Sequence, residues 1–188
     1  KVKVPVILDA AWGGHFGFHP LLPQHTFQLG ADALITSTHK ALPGYSASAL
    51  LLARTTLLSA ERLEQSFETT HTTSPAGAPL ASIDGVRALL QTRGEELIGT
   101  LLENIDRFKE LVQAEFALPI FLYPQDFPDN RFDPSKVVLR VQQLGASGVE
   151  IEQDLQRAGI RVEMADRDTI VFLGTIADTK ADFDRLAD

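Results

Sequence analysis

The chain has 188 residues, 44% of them hydrophobic, and carries a net charge of -8 with no cysteine. That size and composition suit a globular protein with a substantial core, and no apolar stretch approaches a membrane span, so a soluble cytoplasmic protein is expected. The acidic balance argues against a nucleic-acid surface, which needs a basic stripe, and the missing cysteines exclude disulfides, iron–sulfur clusters and zinc–thiolate sites.

The first predicted element is a strand over residues 4–9, "VPVILD", whose continuous apolar run reads as buried on both faces and ends at Asp9. A glycine-rich loop, "WGGHFGFHP", follows it. A second apolar run over residues 31–36 leads into "STHKALPG", which delivers Lys40 just past a strand end and turns at Pro43-Gly44. A lysine there is costly to desolvate, so it reads either as a solvated end or as a working amine. Residues 48–53, apolar on both faces and short, suit another central strand.

A polar loop, "FETTHTTSPAGAP", then precedes a long helical pattern. Ser82 is the expected N-cap, and Ile83, Val86, Leu90, Leu97, Leu101, Ile105 and Phe108 recur at helical spacing. Gly94 and Gly99 predict a kink or a break. Residues 118–133 turn rich in Pro, Asp, Phe and Asn, which marks a crossover, so the expected domains are 1–117 and 118–188. Beyond it a β-α-β-β-α order predicts a small α+β domain. Its strands fall at 136–141, 160–165 and 169–175, and its first helix is capped by Ser147 and closed by Gly159. Both ends of the chain read as cut, and a fragment of a longer protein is expected.

Asp9 and Lys40 end two predicted strands about one βαβ unit apart, and open α/β sheets bind ligands at the carboxyl ends of their strands. A lysine amine can form a Schiff base with pyridoxal phosphate, whose ring nitrogen takes a carboxylate partner. Ser37, Thr38 and His39 would then supply hydrogen bonds to the cofactor. On spacing alone, a plain Asp–Lys ion pair or two unrelated solvated ends remain open. His15 and His19 lie four apart, but the glycines around them disfavour a helix, so packing near the loop is expected and no metal site. Glu163 and Asp166 read as a solvated turn, and Asp84 with Arg87 as a surface ion pair.

The stretch "DAAWGGHFGFHPLLP…LGADALITSTHKALPG" resembles the bacterial ornithine/lysine/arginine decarboxylases, pyridoxal-phosphate enzymes of fold type I. The likeness continues at "ASIDGVR", "DPSK", "LGASGVEIEQDL" and "VEMAD", keeping the order of its landmarks. It implies an α/β large domain with a mostly parallel sheet, followed by the small α+β domain. It also implies Lys40 as the Schiff-base lysine, Asp9 as the ring-nitrogen partner and Ala11 against one ring face. Ser37 and His39 would contact the phosphate, with His39 also beside the reacting carbon, so Lys40, His39 and Asp9 form the implied catalytic group. Trp12 stands where many relatives have histidine, which leaves open whether ornithine, lysine or arginine is the substrate. Thr72, Thr73 and Ser74 would reach a neighbouring subunit's site, implying a homodimer or higher homo-oligomer. Two rivals are another fold-type I reaction and a catalytically silent assembly domain.

Overall fold

A computed structural model describes residues 3–71, 74, 76–127 and 132–188. The apolar run near the start forms a strand only at β1 (Ile7–Asp9), followed by β2 (Ala33–Ser37), β3 (Ala49–Ala53), α1 (Ala60–Thr70) and α2 (Gly77–Gln113). A 3-10 turn at Pro124–Asp126 then precedes β4 (Lys136–Arg140), α3 (Gly148–Arg157), β5 (Met164–Ala165), β6 (Thr169–Leu173) and α4 (Lys180–Ala187). The chain forms two compact units, one of residues 1–20 and 24–94, the other of residues 21–23 and 95–188, so α2 contributes to both.

In the first unit the sheet order is β1-β2-β3, with β1 parallel to β2 and β2 antiparallel to β3. The sheet is therefore mixed, where a mostly parallel one was expected. The connection over residues 38–48 is too short for a crossover and can only make a hairpin, which reverses β3. β1 also departs from its expected burial. Val6 is 53% and Ile7 57% exposed, because β1 has β2 on one side only and nothing described in this unit covers its outer face. β3 is likewise an edge strand rather than a central one. β2 is the buried strand, with Ala33, Leu34, Thr36 and Ser37 all inside.

α2 begins at Gly77, five residues before its expected cap. Pro79 is compatible with this because a proline in the first helical turn gives up no intrahelical hydrogen bond. Ser82 lies inside the helix, its hydroxyl donating to the Pro79 carbonyl at 2.9 Å and accepting the Tyr45 N–H at 3.0 Å. The helix runs unbroken through Gly94 and Gly99.

The second unit has a three-stranded antiparallel sheet, order β4-β6-β5, with elements in the β-α-β-β-α order read from the sequence. Val137 pairs with Phe172 and Leu139 with Ile170, so these four share one face. Ile98, Leu101, Ile105 and Phe108 of α2 are buried in the same unit, and Phe108 packs edge-on to Phe121 at 5.8 Å between ring centres. Each such fully buried side chain contributes about 1.5–3 kcal/mol. Ser147 caps α3 as expected, with Glu150 returning the bond to the Ser147 N–H at 2.8 Å. The expected strand over 160–165 shortens to β5.

Candidate functional site

The parallel pair β1–β2 sets the site. Asp9 is the last residue of β1 and pairs in register with Ile35, while β2 runs two residues further to Ser37. Asp9 and the start of the Lys40 loop therefore share the carboxyl edge of this pair, the edge where open α/β sheets bind ligands. The Asp9 side chain is exposed, and its Oδ1 accepts the Ala11 N–H at 3.0 Å, which fixes the carboxylate against the turn that follows. The Ala10 N–H continues the ladder to the Ile35 carbonyl at 2.8 Å, so the chain leaves β1 still tied to β2. Trp12 comes next, and the Lys40 amine stands 5.3 Å from the centre of its ring. A cation over an indole face at that distance is attracted to the ring quadrupole.

Two glycines make this edge possible. A Cβ on Gly14 would lie 2.9 Å from the Ser37 carbonyl oxygen and 3.1 Å from the Thr36 hydroxyl, so the glycine-rich loop can lie against the end of β2 only without a side chain there. A Cβ on Gly44 would come within 2.2 Å of the Thr38 carbonyl oxygen, which instead accepts the Gly44 N–H at 2.7 Å. The turn that carries Lys40 closes on that bond.

The base of the same turn is a polar cluster that the sequence did not suggest. Thr38, expected to face the cofactor, is 4% exposed, with its hydroxyl 2.5 Å from the Ser48 hydroxyl. The Thr38 N–H donates to the Ser48 carbonyl at 3.1 Å. His39 is half-buried, and its Nδ1 lies 2.8 Å from the Ser48 carbonyl oxygen and 3.1 Å from the Ser48 nitrogen. One signal could have pointed to it: Ser37 opposes Ala49 across the hairpin, which places Thr38 opposite Ser48.

Ser37 is 7% exposed at the end of β2, and Ala11 lies beside it, with the Ser37 N–H reaching the Ala11 carbonyl at 3.4 Å. The structure thus gathers Asp9, Ala11, Trp12, Ser37, His39 and Lys40 along one stretch of sheet edge. Ser74 is exposed in the loop before α2, and Thr72 and Thr73 lie outside the described residues. In the glycine-rich loop, His15 is buried with its ring 4.9 Å from that of Phe16. Among the described residues no group of three or more His, Asp or Glu side chains could hold a metal ion. Asp84 and Arg87 form the surface ion pair at 2.8 Å. Asp166 accepts the Asp168 and Thr169 N–H groups at 2.7 Å each, and these bonds hold its carboxyl below the usual range.

An amine, a carboxylate, a hydroxyl and an imidazole on one sheet edge are the donor set that a phosphorylated pyridine aldehyde needs. Lys40 carries a primary amine on this edge, and Asp9 keeps its Oδ2 outside the bond to Ala11.

The profile of the family described as "Orn/Lys/Arg decarboxylase, major domain" matches residues 1–124. An arginine decarboxylase from Halalkalibacterium halodurans is 33% identical over 97% of this chain and 38% of its own length. One from Bacillus subtilis is 32% identical over 98% of this chain and 38% of its own length. The chain thus spans 38% of the length of these curated relatives. Among solved structures, the E. coli constitutive lysine decarboxylase superposes with a TM-score of 0.76 at 22% identity, covering 98% of this chain and 32% of that one. An ornithine aminotransferase from Toxoplasma gondii, which holds PLP at partial occupancy in its active site, superposes at 0.59 with 15% identity over 98% of this chain and 41% of its own. At these identities the likeness to solved structures is one of fold.

Proposed function

Because this chain belongs to the Orn/Lys/Arg decarboxylase family, we propose that the protein it represents removes the α-carboxylate of a basic amino acid with pyridoxal phosphate, releasing carbon dioxide and an amine. The observation that carries this reading is the Lys40 amine over Trp12 in the turn after β2, with Asp9 ending the adjacent parallel strand. In the same reading residues 1–117 belong to the cofactor-binding domain and 118–188 to a small domain, and the enzyme is a cytoplasmic homo-oligomer in which Thr72, Thr73 and Ser74 serve a neighbouring subunit's site.

When bound, the cofactor supplies an electron sink for the carbon that loses its carboxylate. Lys40 would hold it through the aldehyde carbon, and Asp9 through the pyridine nitrogen. Ala11 would lie along the ring face and Ser37 would donate to the phosphate. Each group has one task. The Asp9 carboxylate holds a proton on the ring nitrogen by charge and hydrogen bonding, and the Ala11 N–H keeps that carboxylate oriented. The Trp12 face shields the Lys40 amine from water on one side, which raises its electrostatic interactions with the rest of the site. With Nδ1 turned to Ser48, His39 presents Nε2 outward, where it can bind the phosphate or hand a proton to the reacting carbon.

The likeness to aminotransferases supports one alternative, another fold-type I reaction built on the same lysine and aspartate. Supplying the full-length protein and pyridoxal phosphate with arginine, lysine or ornithine separates the two. Carbon dioxide and the matching diamine or agmatine are expected, and formation of a keto acid in their place would exclude decarboxylation.

A further inference from the structure

We infer that Ser48 is a positioning residue that fixes the His39 ring and the base of the Lys40 turn; its effect on turnover rests on the decarboxylase reading above, while its effect on His39 does not. Ser48 is 3% exposed and touches the turn through its hydroxyl, its carbonyl and its N–H.

Proton accounting gives the hydroxyls a direction. Ser48 has one hydroxyl proton, and the Tyr45 carbonyl takes it at 2.5 Å, since a carbonyl can only accept. The 2.5 Å contact between the Thr38 and Ser48 hydroxyls must then be donated by Thr38. The result is a one-way chain, Thr38 to Ser48 to Tyr45, that ties the two sides of the turn below Lys40. The Tyr45 N–H in turn reaches Ser82 of α2 at 3.0 Å, which anchors the far side of the turn to the longest helix of its unit.

The Ser48 peptide group does the second part of the work. Its carbonyl oxygen and its nitrogen both lie within hydrogen-bond reach of His39 Nδ1, at 2.8 and 3.1 Å, yet one nitrogen cannot donate to the first and accept from the second at once. The Ser48 N–H can only donate, and Nδ1 is the acceptor it reaches, whereas the Ser48 carbonyl already accepts the Thr38 N–H; Nδ1 therefore accepts, and the neutral ring carries its proton on Nε2. A small rotation of the Ser48 peptide would exchange the two partners and reverse the tautomer. The hydroxyl chain opposes that rotation by holding Ser48 at both Thr38 and Tyr45. Ser48 therefore sets whether the ring nitrogen facing the cofactor edge carries the proton, without touching the reacting atoms.

The test is nitrogen-15 NMR of the histidine rings in the intact protein, comparing wild type with Ser48→Ala, Ser48→Thr and Thr38→Val. Wild type and Ser48→Thr, which keeps the hydroxyl, should show His39 as a single Nε2-protonated tautomer. Ser48→Ala should show a mixture, and Thr38→Val, which removes the same link from its other end, should do the same should Ser48→Ala fail to fold. In the Ser48→Ala protein loaded with pyridoxal phosphate, kcat for decarboxylation should fall on the order of tenfold, less than the 10²–10⁴ that a positioned acid or base contributes in full, with KM little changed. A His39 tautomer unchanged in both folded variants would overturn the inference. A wild type inactive on every basic amino acid, with the NMR result intact, would count against the decarboxylase reading and leave the role of Ser48 standing.

Discussion

Thr36 and Thr26 show how much a single buried hydroxyl matters in this unit. Both are more than nine-tenths buried, and neither hydroxyl has a hydrogen-bond partner among the described residues. They line a cavity of about 260 Å³ whose other walls include Leu34, Leu50, Val86 and Leu90. An unpaired buried hydroxyl carries a desolvation cost with no bond to offset it. Replacing Thr36 with valine keeps the shape and removes that cost. Urea unfolding of Thr36→Val should show stability unchanged or raised by up to about 1 kcal/mol. A loss larger than that would mean the hydroxyl has a partner after all, such as a buried water. By contrast, the hydroxyl of Thr38, two residues on, is paired, and its removal is expected to loosen the Lys40 turn.

Lys109 makes the corresponding point for an element, because α2 carries a charge into the interior of the second unit. The residue is 2% exposed, its amine 4.8 Å from the Tyr123 ring centre and 5.9 Å from that of Phe132, with the Leu122 carbonyl at 3.4 Å. Burial pushes the Lys109 pKa below its ordinary 10.5, against the opposing pull of Asp106. Between that lowered value and 10.5 the unfolded chain binds a proton that the folded one lacks, so stability rises with pH in this window. Tyr123, raised above its ordinary 10.0 by burial and by Asp106, opposes this only near and above pH 10. Lys109→Met should match or exceed the wild-type stability near pH 7, within about 1–4 kcal/mol, since a well-packed apolar residue can replace a buried charge. It should also lose the rise toward pH 10. Thermal melts across that range check both, and a variant that melts far lower at every pH would show that the aromatic contacts to the charged amine outweigh its desolvation.

At the scale of the whole chain, what the sequence revealed depended on how local the cause was. The second unit was largely readable because its signals are short-range: Ser147 with Glu150 caps α3, Gly159 takes a positive φ just past its end, and Ile170 and Phe172 alternate along β6. β1 reads as buried in the sequence because an apolar run reports what a strand could bury, and burial needs neighbours that the described residues of its unit do not place on its outer side. The direction of β3 hid in the length of the 38–48 connection rather than in composition. The residues of the site were visible one by one in "STHK" and "DAAW", but the support from Ser48 depends on a cross-strand register that no local pattern announces.

The central claim is that Lys40 is the amine to which the cofactor attaches at an edge shared with Asp9. Borohydride reduction of the full-length protein incubated with pyridoxal phosphate, followed by peptide mass mapping, tests it most directly. The account predicts a reduced pyridoxyl adduct on the peptide containing Lys40, abolished in Lys40→Ala and weakened in Asp9→Asn. An adduct confined to another lysine, or a protein that takes up no cofactor, would contradict it.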